Sequence, residues 1–186
     1  ENKIVCVYAG KFGGIYLEKE AFDFFKTAEL HWGDKFRALI LTSNTEQEIE
    51  NYSHASGLKK ETIIRRFVPH SEIANYIGLG DFAFTPVKPI STKQYCSPIK
   101  DGEYWALGLP VVITKDISDD SDIIKENKIG YVLAHLNEEE YKKAILEIER
   151  LLQNNSRESL YLKIRMIAET KRNFLLSNSI YNTIYS

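Results

Sequence analysis

Apolar residues along this chain follow two alternating patterns. Some segments are short, nearly continuous apolar runs rich in β-branched residues. Others, lying between them, place apolar residues three and four apart. The first pattern suits strands buried on both faces, and the second suits helices that bury one face. The runs fall at residues 3–9 (KIVCVYA), 36–43 (FRALILTS), 61–68 (ETIIRRFV), 81–86 (DFAFTP), 110–114 (PVVIT) and 129–133 (IGYVL). After the first run, Leu17, Ala21, Phe24, Phe25 and Ala28 predict a helix to about His31. Asn44-Thr45, with Glu48 three residues after Thr45, reads as a capping box opening a helix to about Ser56, which Gly57 ends. Pro69-His70-Ser71-Glu72 opens a third helix, carrying Ile73, Ala74 and Ile77. Residues 116–126 run from a polar loop into a short helix. Tyr141, Ile145, Ile148, Leu151 and Leu152 stripe the next, which Asn154-Asn155-Ser156 breaks. A last helical region starts at Arg157 with Leu160, Ile164, Ile167 and Ala168, then continues through Phe174, Leu175, Ile180, Tyr181, Ile184 and Tyr185.

Such alternation predicts an α/β fold: a Rossmann-like, doubly wound parallel sheet of six strands, with helices on both faces and right-handed crossovers. The expected strand order is 3-2-1-4-5-6, in a single domain. The first and fourth strands then sit side by side where the winding reverses. Open sheets of this kind bind ligands at that point, beyond the carboxyl ends of the strands.

The stretch from residue 81 to residue 113 places a strand, a polar loop, a helix, a tight turn and a strand in succession. Ser97 is expected to cap the helix, and Pro98 fits its first position. Gly108 ends the helix and Pro110 prevents its continuation. The loop at residues 87–96 is of a kind that compact domains keep for binding. Gly102, inside the helix, costs ~1 kcal/mol relative to alanine, so a close approach by something is expected there. Gly10-Lys11-Phe12-Gly13-Gly14 follows the first strand. It is not a GxGxxG fingerprint. It reads either as a tight turn or as backbone that approaches a phosphate closely. His70, just after the third strand, either touches a ligand or faces solvent. The acids Asp119, Asp120 and Asp122 match no calcium loop and read as a charged first helical turn.

Composition changes this picture little. The chain has 186 residues, 44% hydrophobic and 27% charged, with a net charge of −2. Those values suit one globular domain and provide no case for a nucleic-acid partner. Cys6 and Cys96 lack metal-like spacing and are expected to be free thiols in a reducing compartment. No apolar run approaches the ~20 residues needed to span a bilayer. The chain opens almost directly on a strand, as a cut at a domain boundary would leave it.

Residues 97–112 (SPIKDGEYWALGLPVV), the Gly-rich first loop and the Val-Pro-His segment after the third strand together resemble the C-terminal half of GT-B glycosyltransferases of the family 4 type. The resemblance covers essentially the whole chain. It implies binding of a nucleotide-diphosphate sugar donor, UDP-, GDP- or similar, with no separate cofactor and no metal. Implied contacts with the donor are Gly10, Lys11, Gly13, Gly14, Val68, His70, Ser97, Pro98, Ile99, Lys100 and Glu103. Glu103 matches the acid that accepts from the ribose hydroxyls, for which a carboxylate's two oxygens suit. Residues 97–100 would offer N–H groups to the diphosphate, with Lys100 and Lys11 adding charge. Val68 and His70 match the segment bordering the base. Where the family often has a glutamate for the transferred sugar, eight residues before Glu103, this chain has Tyr95.

No catalytic residue is assignable. The implied partner is an N-terminal, acceptor-binding domain of a longer chain, and without it turnover is not expected. Residues 1–155 are read as the nucleotide-sugar-binding domain and 156–186 as a helical region crossing to that absent half. The expected setting is polysaccharide biosynthesis in the cytoplasm, with any contact to the inner face of the membrane made through the missing half. The alternative is a stand-alone, non-catalytic nucleotide-binding or interaction module of the same fold.

Overall fold

A computed structural model describes residues 3–185, with residues 179 and 180 described in their backbone alone. Ile180, one member of the last apolar stripe, therefore lies outside the described side chains. Six strands form: β1 (Ile4–Ala9), β2 (Phe36–Leu41), β3 (Ile63–Arg66), β4 (Phe82–Thr85), β5 (Val111–Thr114) and β6 (Gly130–Leu133). All pair in parallel, in the order β3-β2-β1-β4-β5-β6. The strand order expected from the alternation is thus the observed one. Every residue of β4 and β5 is buried, which explains why these strands read as unbroken apolar runs.

Helices α1 (Lys19–Trp32), α2 (Glu46–Ala55), α3 (Ile73–Ile77), α4 (Ile99–Ala106), α5 (Asp120–Asn127), α6 (Glu138–Asn154), α7 (Arg157–Lys171) and α8 (Asn178–Tyr185) fill the crossovers and the C-terminal region. One face of the sheet packs on α1 and α6 through a cluster of aromatic rings. Phe24 of α1 stacks on Phe84 of β4 with centroids 4.5 Å apart. The other face carries Val7, Leu39, Ala83, Val111 and Ile113 and is covered by α4, α5 and α7, with Trp105 fully buried. The capping box of α2 forms as its sequence predicts: Glu48 N–H donates to Thr45, and Thr45 N–H donates to Glu48 at 2.7 Å.

One sequence expectation is overturned and three are met in a form the sequence did not show. Ser97 does not cap α4. Pro98 occupies the cap position, with no side-chain hydrogen bond there, because the chain turns into the helix one residue later than the Ser-Pro pair suggests. Gly102 is approached by the chain itself: a Cβ at this position would lie 3.1 Å from Cβ of Arg172, at the end of α7. Asp119 and Asp120 are more than a charged first turn, since both hold the guanidinium of Arg172. The stretch set apart as residues 156–186 is split. Helix α7 buries Leu160, Ile164 and Ala168 in this domain's own core, capped by Ser156, which accepts from Ser159 N–H at 3.1 Å. The segment after it, a 3-10 turn at Phe174–Ser177 and α8, leaves Phe174, Leu175, Leu176, Tyr181, Ile184 and Tyr185 exposed.

Behind α4 lies a buried polar cluster. The Asp120 side chain is fully buried and pairs with Arg172, whose side chain is 16% exposed. Asp101, in the first turn of α4, is also fully buried. One of its carboxyl oxygens accepts from Thr85 Oγ1, and the other has no partner. Burial, reinforced by the nearby charge of Asp120, pushes the Asp101 carboxyl up to about 8. Burial pushes Asp120 up to about 6, against the opposing pull of Arg172.

Two outcomes are expected. Arg172→Met strands the Asp120 carboxylate in the interior and should lower unfolding stability by about 3–5 kcal/mol, read by urea denaturation. The second concerns pH. Folded Asp101 keeps a proton that the unfolded chain has released, so stability should fall as pH rises from about 4 to about 8. Asp101→Asn, neutral throughout, should flatten the fall in Tm between pH 6 and pH 8. Each kcal/mol removed corresponds to roughly 2–4 °C. An unchanged slope would contradict the assignment.

Candidate functional site

The winding reverses between β1 and β4, and the turns that leave the carboxyl ends of β1 and β3 meet the first turn of α4 there. They enclose a cleft of about 490 Å³. Gly10 and Lys11 enter it from the β1 loop, Val68 and His70 from the segment after β3, and Ile99, Lys100 and Glu103 from α4. Gly13, Gly14, Ser97 and Pro98, expected in the same place, do not line the cleft. Pro98 is buried, and Ser97 is exposed outside it. Sequence reasoning missed Tyr16, Thr42, Ser43, Phe67 and Ile73, which also line the walls. Thr42 and Ser43, just past the end of β2, were legible as strand-end residues. Tyr16 was not, because an isolated bridge to Val87 brings it there.

The loop after β1 is held by its neighbours. Ala9 N–H donates to Tyr104 Oη at 2.9 Å, and Gly10 N–H donates to the Leu41 carbonyl at 2.9 Å. Phe12 N–H donates to Asn44 Oδ1 at 2.9 Å. Tyr8 Oη donates to the Lys11 carbonyl. The N–H groups of Lys11, Gly13 and Gly14 find no partner among the described residues, and neither do those of Ile99 and Lys100 at the start of α4. A helix start with free N–H groups carries partial positive charge.

Lys100 dominates the electrostatics of the cleft. Its Nζ lies 4.0 Å from the ring centroid of Tyr16 and 4.7 Å from that of Tyr8, and it makes no hydrogen bond. The two ring faces attract the cation without satisfying its N–H groups. Burial draws its pKa down to about 8, against the opposing pull of Asp101 and Glu103. Gly10 is what admits it. A Cβ there would lie 2.7 Å from the Lys100 ammonium and 2.9 Å from Tyr8 Oη, on a backbone at φ +152°. An ammonium short of donors' partners, beside free N–H groups and opposite an exposed carboxylate, is suited to an anion that also carries hydroxyls. Among the described residues, no group of three or more His, Cys, Asp or Glu is placed to hold a metal ion.

Residues 85–165 match the glucosyltransferase 3-like, C-terminal domain family (Gtf3_C). That span takes in α4 with Lys100 and Glu103, but not the first loop or His70. No curated protein matches the chain. The fold recurs in WaaG, a glycosyltransferase involved in lipopolysaccharide biosynthesis, with a TM-score of 0.74 and 13% identity over 100% of this chain and 47% of WaaG. The catalytic domain of cholesterol-α-glucosyltransferase from Helicobacter pylori superposes with a TM-score of 0.66 and 15% identity, over 91% of this chain and 99% of that one. The C-terminal domain of LpcC, a glycosyl transferase group 1 family protein from Francisella tularensis, does so with 0.64 and 16%, over 92% and 87%. The chain thus spans about half the length of WaaG, and at these identities the likeness is one of fold. The chain is thus similar over residues 85–165 to the glucosyltransferase 3-like C-terminal domain family, and it shares its fold with GT-B glycosyltransferase structures.

Proposed function

We propose that this chain is the donor-binding half of a glycosyltransferase and that the cleft takes a nucleoside-diphosphate sugar. One observation carries the reading: Lys100, unpaired, shares a cleft with free helix N–H groups, a Gly-Lys turn and the Glu103 carboxylate. The N–H groups of Ile99 and Lys100, the Lys100 ammonium and Lys11 receive the diphosphate. Glu103 accepts from the ribose hydroxyls, and Val68 with His70 borders the base. As the glycosidic bond breaks, charge grows on the departing diphosphate, and cations already placed there stabilise it. An acceptor-binding domain in a longer chain completes the reaction. The likeness to WaaG supports a place in polysaccharide biosynthesis, for which we infer a cytoplasmic setting.

A second reading, a nucleotide-binding module without transferase activity, is favoured by Tyr95. Its side chain is 84% exposed and stands where an acid for the sugar was expected.

Calorimetric titration with UDP, GDP and ADP tests the proposal. At least one should bind, and Glu103→Ala should weaken that binding about 10–100-fold, the loss of one or two charge-assisted hydrogen bonds. Silence from all three with folded protein would sink it. The Lys100 ammonium loses its proton above about pH 8 in the free protein. Affinity should therefore fall between pH 7 and pH 9, and Lys100→Met, already weaker, should lose most of that pH dependence.

A further inference from the structure

Helix α4 is gripped from behind as well as exposed in front. Its front face, through Ile99, Lys100 and Glu103, lines the cleft. Its back face meets the end of α7, where the stem of Arg172 lies on Gly102 closely enough that a Cβ there would come within 3.1 Å. The Arg172 guanidinium sits 5.5 Å from the Trp105 ring, also on α4, and binds Asp119 at 2.6 Å together with Asp120. Those two acids open α5, which follows β5 and stands outside the cleft. Asp101 anchors the same helical turn to β4 through Thr85. The first turn of α4 is thus fixed to β4 by Asp101 and to α5 by Arg172.

We propose that Arg172 is a positioning residue for the diphosphate end of the cleft: by locking Gly102 and Trp105 against α5, it sets where α4 presents its free N–H groups and Lys100. The proposal rests on the donor-binding reading above and adds a residue that touches no ligand. The argument is geometric. Asp101, Gly102 and Trp105 sit in one short helix with the three cleft residues, and a rigid helix transmits displacement of its back face to its front. Gly102 fits the same view. It weakens the helix, and the space it leaves is occupied by Arg172.

Arg172→Met leaves Asp120 uncompensated, so the decisive variant is Asp120→Asn/Arg172→Met, which removes both charges, with Arg172→Lys beside it. Two measurements are made. In the first, the double variant should bind the preferred nucleoside diphosphate of UDP, GDP and ADP about tenfold more weakly than the wild type. Its affinity for the corresponding monophosphate should stay within twofold, and Arg172→Lys should fall between. A structural role alone would weaken both ligands equally. The second measurement needs no ligand. Amide hydrogen exchange at residues 99–103 should quicken at least tenfold in the double variant while that of α1 stays constant. Diphosphate affinity within twofold of wild type overturns the proposal, as does equal loss for both ligands. If the wild type binds none of the three nucleotides, the donor-binding reading has failed by itself. Exchange then decides alone, and unchanged protection of residues 99–103 overturns the positioning role.

Discussion

Everything in this domain depends on the position of β1. It lies between β2 and β4, and the crossover that leaves it runs to β2 while the one that leaves β4 runs the opposite way, to β5. Two turns that leave adjacent strand ends in diverging directions cannot fill the space between them, so a crevice opens at the carboxyl edge. Among the residues that line it are Gly10 and Lys11 on one wall, and Lys100 and Glu103 on the other. The cleft is therefore a consequence of sheet topology, and its chemistry a consequence of which residues the loops carry.

The energetic weight of the site falls on one helical turn. Lys100 and Asp101 are consecutive, one basic and one acidic, and both short of hydrogen-bond partners. A helix directs successive side chains about 100° apart, so the two point to different surroundings and do not pair. The lysine sits among tyrosine rings on the cleft side, and the aspartate among Thr85 and Asp120 on the sheet side. Burial shifts both toward neutrality, the lysine downward and the aspartate upward. Unpaired buried groups cost stability, and a fold retains them most readily where the unmet bonding capacity is used by a ligand.

The C-terminal region divides into two parts with different physics. Helix α7 is amphipathic, buries Leu160 and Ile164 against α4, and ends at an arginine that is ion-paired in the interior. Beyond it, Phe174 and Tyr185 are 81% and 80% exposed. The first part belongs to this domain's packing. The second has apolar side chains that this domain leaves uncovered.

The sequence alone determined the strand order, because a continuous apolar run every few tens of residues, separated by helical spacing, has few right-handed parallel solutions. It also determined the Thr45 capping box and the convergence of three turns at one edge, since both follow from local spacing and topology. It could not determine Tyr16's place in the cleft, the partner of Gly102, or the burial of Asp101 and Asp120. Those depend on contacts between residues well separated along the chain, from Thr85 with Asp101, 16 positions apart, to Arg172 with Asp120, 52 apart, and short-range periodicity carries no trace of them. Charged residues at helix starts look solvated in sequence, and only the arrival of α7 from the far end of the chain encloses them.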